Sequence, residues 1–198
     1  MSVIIGYKAD GKVYMATDTQ RRLGNYYYSD LTETGFNVFH LPSGVLCGAS
    51  NYRAKQILQT KADLWEALGD GPLTKQFIVE CILPTLYRSL DDANLIDSDK
   101  KTDGDSEFDG SILFAKGDSL FCIDDDFSVL TIPKFCMIGS GAAFSYARVA
   151  AYQGEYPLEK MFFDALADAE SFCRTVLKPY CLYATDCLEK KFLGGESC

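Results

Sequence analysis

The sequence is poor in the groups on which most hydrolytic and redox chemistry depends. It has one histidine, His40, and one tryptophan, Trp65, in 198 residues. A Ser-His-Asp or Cys-His site would have to be built on His40, and its place just before Pro42 suits a partly exposed, non-catalytic ring. There is no HExxH, Walker A loop, dinucleotide GxGxxG or G-x-S-x-G elbow. The eight cysteines form no CxxC pair, so neither a zinc ribbon nor a thioredoxin-type couple is indicated. Most lie among apolar neighbours, as in Val45-Leu46-Cys47, and read as reduced core thiols, with Cys198 as an exposed terminal thiol. Positive charge is scarce too. Nineteen Lys and Arg against 28 Asp and Glu leave a formal charge of −9, which offers no footprint for nucleic acid or for an anionic membrane. No apolar run approaches the ~18–20 residues of a membrane helix. The start, MSVIIGYKADGK, shows no basic leader followed by an apolar segment, so a cytoplasmic protein without a signal peptide is expected.

What is present is the patterning of one globular domain over residues 1–198, with 47% apolar and 24% charged residues. Ser2–Lys8 and Lys12–Asp18 are β-rich runs flanking Asp10-Gly11, the strongest short hairpin signal. Phe36–Leu41 and Val45–Ala49 form a second hairpin around Pro42-Ser43-Gly44. A helix capped by Ser50 or Asn51 runs through Ile57, Leu58, Leu64 and Leu68 to Gly69. A second starts near Leu73 and carries Phe77, Ile78, Cys81, Ile82, Leu86 and Leu90, with a kink expected at Pro84. Strands return at Ser111–Ala115, Leu120–Ile123, Ser128–Thr131 and Phe135–Ile138. A helix follows Gly139-Ser140-Gly141, another spans Leu158–Cys173, and Tyr180–Thr185 is the last strand expected. Segregated runs of strands and helices point to an α+β fold of two antiparallel sheets covered by helices. The acidic stretch 97–110 fails as a calcium loop, because Lys101 and Phe108 fall at positions that require oxygen ligands. No metal or cofactor is implied.

The chemistry that remains sits at the N-terminus. Removal of Met1 is favoured by the small side chain of Ser2. It would leave a hydroxyl nucleophile and a free α-amine on adjacent carbons. The amine, with a reference pKa of ~7.7–8.0, can accept the hydroxyl proton without any histidine. In a hairpin paired around Asp10-Gly11, Asp18 ends the strand beside Ser2, where its carboxylate can orient the amine and hydroxyl.

Three short pieces then carry a resemblance: Asp10-Gly11-Lys12-Val13, Ala16-Thr17-Asp18-Thr19-Gln20 and Leu23-Gly24-Asn25. Together with Gly44–Ala49 and Ile138-Gly139-Ser140-Gly141, they make the chain similar to proteasome β-type subunits, and most of all to HslV-type peptidases. The resemblance runs over residues 2–185 and implies an αββα sandwich of the N-terminal nucleophile (Ntn) hydrolases. It implies that Ser2 is the nucleophile and that Asp18 holds the charge network. Gly48 would supply an oxyanion-binding N–H, and Ser140 would hydrogen-bond near the amine. It further implies a peptide or protein substrate, self-association into rings and an unfoldase ATPase partner. Two departures stand out. The family's lysine some fifteen positions after the aspartate has no counterpart in Thr32–Phe39, which removes an activating cation unless Arg21 or Arg22 replaces it. A second family aspartate has no match in Ser171–Tyr180. A silent relative with a scaffolding role and a small-molecule amidase of the same fold therefore stand as alternatives to a peptidase.

Overall fold

The computed structural model describes residues 2–23, 26–29, 36–61, 65–66, 68–97 and 107–194, with backbone alone at 21–23, 26–29 and 97. Cys198 and most of the acidic stretch lie outside the described residues. Strands β1 (Ile4–Ala9) and β2 (Lys12–Thr17) are joined at Asp10 and Gly11, with φ of 52° and 73°. Both turn residues take the left-handed conformation that Asp-Gly tolerates, so the backbone twist of the turn matches that of the strands. A small hairpin follows, β3 (Gln20–Leu23) with β4 (Tyr26–Ser29), which forms a two-stranded sheet of its own. Its hydrogen bonds are local, and no alternation of apolar residues announced it.

β5 (Val38–Leu41) and β6 (Val45–Ala49) form the next hairpin. Helix α1 (Tyr52–Thr60) is capped by Asn51, whose side-chain oxygen accepts from the N–H groups of Arg53 at 3.0 Å and Ala54 at 3.2 Å. It stops at Thr60, well short of Gly69, although Trp65 and Glu66 are helical again. We denote as α2 three abutting segments: Lys75–Phe77, a π turn over Ile78–Ile82, and Leu83–Asp92. The expected break at Pro84 is taken up by that π turn, whose wider i→i+5 bonding re-places the carbonyls facing the proline ring. A two-residue pair, β7 (Ile96–Asp97) and β8 (Glu107–Phe108), brackets the acidic stretch. Strands β9 (Ile112–Lys116), β10 (Ser119–Ile123), β11 (Val129–Thr131) and β12 (Phe135–Ile138) follow. Helices α3 (Ala142–Ala151) and α4 (Leu158–Phe172) come next, and then β13 (Tyr180–Ala184). A further strand, β14 (Cys187–Leu193), pairs with β13 where the sequence predicts none. Its charged, mostly exposed face carries no alternating pattern to betray it.

The two main sheets are antiparallel, with strand orders β12-β1-β2-β13-β14 and β11-β10-β9-β6-β5. Side chains alternate along each strand, so β1 serves two cores at once. Val3, Ile5 and Tyr7 pack with Val149, Phe162 and Leu166 of α3 and α4. Ile4 points the other way and joins Met15, Leu46, Leu113 and Leu120, drawn from both sheets. The far side of the second sheet places Cys47 and Phe114 against Leu58, Trp65, Ile82 and Leu86. Each such side chain is almost wholly buried. Burial of one contributes ~1.5–3 kcal/mol, which is what fixes the register of these strands. Among the described residues no helix is long and apolar enough to cross a membrane. The seven described cysteines are unbridged; Cys47, Cys122 and Cys181 are buried, but Cys81 and Cys187 are exposed rather than core residues.

Candidate active site

The start of β1 lies between β2 and β12, and this brings the N-terminal candidates together. Ile4 pairs with Thr17 of β2 and with Ile138 of β12. Carried one residue back, these registers set Val3 opposite both Asp18 and Gly139. The Val3 N–H donates to Asp18 Oδ1 at 3.0 Å, and the Gln20 N–H donates to Oδ2 at 3.1 Å. Thr17 Oγ1 donates to the Val3 carbonyl at 3.0 Å. Asp18 is fully buried. Burial pushes its carboxyl up to about 7, against the backbone hydrogen bonds from Val3, Gln20 and Leu177 that favour the ionised form. The Asp18 side chain therefore grips the residue after Ser2.

The hydroxyl of Ser2 has a different partner. Asn37, in the bend before β5, donates from Nδ2 to Ser2 Oγ. Both residues are nearly buried, at 3% and 4% exposure, so this bond is shielded from competing water. Asn37 falls within Thr32–Phe39, where the resemblance implies a lysine, and it brings an amide rather than an ammonium. Its own carbonyl accepts from the Ala49 N–H at 3.0 Å, which ties it to the end of β6. Arg21 and Arg22 lie on β3, and their side chains fall outside the described residues, as does Met1.

On the other flank Gly139 has φ of +93°, and a Cβ there would stand 2.1 Å from the Ser2 carbonyl oxygen. Only glycine allows this approach. Ser140 follows, and its hydroxyl lies 2.6 Å from Thr175 Oγ1. Cys173 Sγ is 2.9 Å from Thr175 Oγ1 and 3.7 Å from Ser140 Oγ. Burial raises the Cys173 thiol, but its hydrogen bonds with Thr175 and Ser140 outweigh this and leave it below its ordinary value. The segment carrying these groups is stitched to the Asp18 loop: Thr19 N–H donates to Leu177 O at 3.4 Å, and Gln20 Nε2 to Arg174 O at 2.9 Å. Thr175 and Cys173 occupy the stretch where the resemblance implies a second carboxylate, and neither residue is an acid.

The placement of Gly48 corrects the expectation of an oxyanion donor. It pairs with Val38 on one side and Leu113 on the other. Ser50, two residues on, donates its N–H to Ser111 O at 3.1 Å, toward β9. N–H directions repeat every second residue, so the Gly48 N–H also points to β9 and belongs to the ladder. The glycine serves another purpose: a Cβ would meet Ile4 Cγ2 at 3.0 Å, so its absence lets the two sheets close. His40 lies apart on β5, edge-on to Tyr183 at 6.1 Å, and burial lowers its pKa. It borders a cavity of about 520 Å³ that Phe36, Val38, Leu188 and Lys190 also line. No group of three or more His, Cys, Asp or Glu gathers into a metal-binding arrangement among the described residues.

No family model matches the chain, and no curated protein matches it in sequence. Solved structures do. BPH of Thiobacillus denitrificans superposes with a TM-score of 0.73 at 18% identity, covering 98% of this chain and 100% of that one. The same protein in complex with epoxomicin gives 0.69 at 20%, with the same coverage. HslV of Trypanosoma brucei gives 0.60 at 18%, covering 92% and 98%. The fold is that of BPH and HslV, the proteasome-like fold that the short motifs implied. The chain shares that architecture over nearly its whole length.

Proposed function

We propose that this chain is an Ntn hydrolase that cleaves peptide bonds through Ser2 once Met1 has been removed. The observation that carries the reading is the environment of Ser2: a buried hydroxyl at the head of a core strand, held by the Asn37 amide, with Asp18 on the next N–H and Gly139, the neighbour of Ser140, against its carbonyl. In the reaction Ser2 Oγ attacks the substrate carbonyl carbon while its proton passes to the Ser2 α-amine. The tetrahedral intermediate collapses, the C–N bond breaks, and the leaving amine takes that proton. Water then adds to the acyl ester, with the α-amine as base, and releases the acid and the hydroxyl. Asp18 fixes the backbone N–H of Val3 and so the direction of Ser2. Ser140 and Thr175 supply hydroxyls along the same edge. Asn37 donates to Ser2 Oγ, the oxygen that gives up its proton as it attacks, and brings to it an amide dipole where an ammonium would bring a full charge. The reading therefore includes a slow enzyme.

The three apolar cores support α-β-β-α layering, and the BPH and HslV folds support self-association into rings. The mass in solution should be several times 21.9 kDa by light scattering, and a clean monomer would count against rings. An unfoldase ATPase partner and a cytoplasmic location belong to the same reading. A second reading has its own observations: an amide in place of a lysine, and the Gly48 N–H engaged in the ladder, suit a silent scaffold.

One experiment separates the two. Intact mass shows whether Met1 is lost, and epoxomicin, the ligand in the BPH complex, needs both a free hydroxyl and a free amine. A stable adduct on wild type that is absent from Ser2→Ala supports the hydrolase. A retained Met1, or no adduct at saturating inhibitor, refutes it.

A further inference from the structure

Lys55 is the one lysine among the described residues that is completely buried. It lies on the inner face of α1 beside Ala54 and Leu58, in a helix layer otherwise filled with hydrocarbon. Taking an ammonium out of water costs several kcal/mol unless its donors are satisfied. A fold that keeps one there is using it for something that leucine or methionine could not supply. Its Nζ donates to the carbonyl oxygen of Phe36. The rings of Phe39 and Tyr52 lie 5.7 Å and 5.5 Å from the ammonium, and their faces favour a cation. Cys47, next to Gly48, also feels the charge, which opposes the rise that burial imposes on its thiol.

The accepting carbonyl belongs to the peptide unit whose N–H is that of Asn37. Asn37 is also the residue whose side-chain amide reaches Ser2 Oγ. The segment is fixed from three sides: Lys55 holds the Phe36 carbonyl, Ala49 N–H holds the Asn37 carbonyl, and Lys190 lies over the Phe36 ring at 3.9 Å from the cavity side. Of these ties, the one from Lys55 brings a full charge to the backbone of the residue that touches the nucleophile.

We propose that Lys55 is a positioning residue of the Ser2 site: its buried ammonium, supplied from helix α1 rather than from the strand, locks the Phe36–Asn37 peptide so that Asn37 Nδ2 stays on Ser2 Oγ. This rests on the reading of Ser2 as nucleophile. It adds that the cation missing from the strand is replaced by one acting at second hand, through a neutral amide. Lys55 itself does not touch substrate. Its removal should lower the rate of covalent trapping without changing how well the inhibitor binds beforehand.

The test uses the full chain, with epoxomicin as the probe and the rate of adduct formation resolved into a saturating rate and an apparent affinity. Lys55→Met should still fold, since loss of a desolvated charge from an apolar layer offsets part of the cost of leaving the Phe36 carbonyl without its donor. Its saturating rate should fall ~10²-fold, the loss typical of a misplaced catalytic group, with affinity unchanged. Asn37→Ala should lose about as much, and the double variant should lose no more than either single one. A wild-type rate in Lys55→Met, additive losses in the double variant, or an effect confined to affinity would overturn the proposal. So would failure of both Lys55→Met and Lys55→Gln to fold, since the residue would then be structural. A wild type that never forms an adduct sinks the hydrolase reading instead. The link to Asn37 is then read from its side-chain amide signal in selectively labelled protein: a signal that moves in Lys55→Met upholds the link, and an unmoved one removes it.

Discussion

The carboxyl of Asp18 makes the stability of the molecule depend on pH in the direction opposite to that of most acids. An aspartate in a salt bridge has a depressed pKa and stabilises a fold above it. Here burial raises the group from 3.8 to about 7. Between those values the native state holds a proton that the unfolded chain has released. Stability therefore falls as pH rises through that window and levels off above about 7. At ~1.36 kcal/mol per unit, a rise of roughly three units amounts to ~4 kcal/mol. Urea unfolding at intervals from pH 4.5 to 8.5, on wild type and Asp18→Asn, measures it. The amide introduced by that substitution cannot titrate. It can accept from only one of the Val3 and Gln20 N–H donors, so the variant should be ~1–3 kcal/mol weaker than wild type at pH 5. The decisive quantity is the difference between the two slopes. Wild type should lose ~3 kcal/mol more than the variant between pH 4.5 and 7.5, the part of the window those pH values span, and parallel curves would refute the raised carboxyl.

Other consequences follow from the same geometry. Gly139→Ala sets a Cβ 2.1 Å from the Ser2 carbonyl at a φ of +93°, so a loss of at least ~3 kcal/mol in urea unfolding is expected, with no adduct from whatever protein folds. Asn51→Ala removes the acceptor for the first N–H groups of α1 and should lower stability by ~1 kcal/mol, which thermal melting reads; because α1 carries Lys55, adduct formation should slow as well. Ser140→Ala breaks the 2.6 Å bond to Thr175 and, on the proposed reading, should cut the trapping rate while leaving the melting temperature within a degree or two.

Much of this molecule is written locally. Asp10-Gly11 specifies its turn by itself, because the two residues tolerate the backbone angles that the hairpin demands. The alternation along Val3–Tyr7 assigns each side chain to one of two cores, and the position of Ser2 at the head of that strand follows. The motif around Gly139 signals a backbone crowded against a neighbour, and the neighbour is Ser2. Asp18 could be placed beside the first strand because a tight turn leaves one register open.

Tertiary structure alone decided the rest. Asn37, Lys55, Thr175 and Cys173 carry no local signal, since each acquires its meaning from a partner 33 to 35 positions away, or, for Lys55, from a carbonyl 19 positions back. Gly48 looked like a donor to the site, and the pairing of β6 with β9 turned its N–H away. The charge on β14 hid a strand that the sheet edge accepts all the same. The physical division is plain. Backbone angles and side-chain periodicity are properties of neighbours in the chain, whereas hydrogen-bond partners and desolvation are properties of neighbours in space, and the surroundings of Ser2 depend on the second kind.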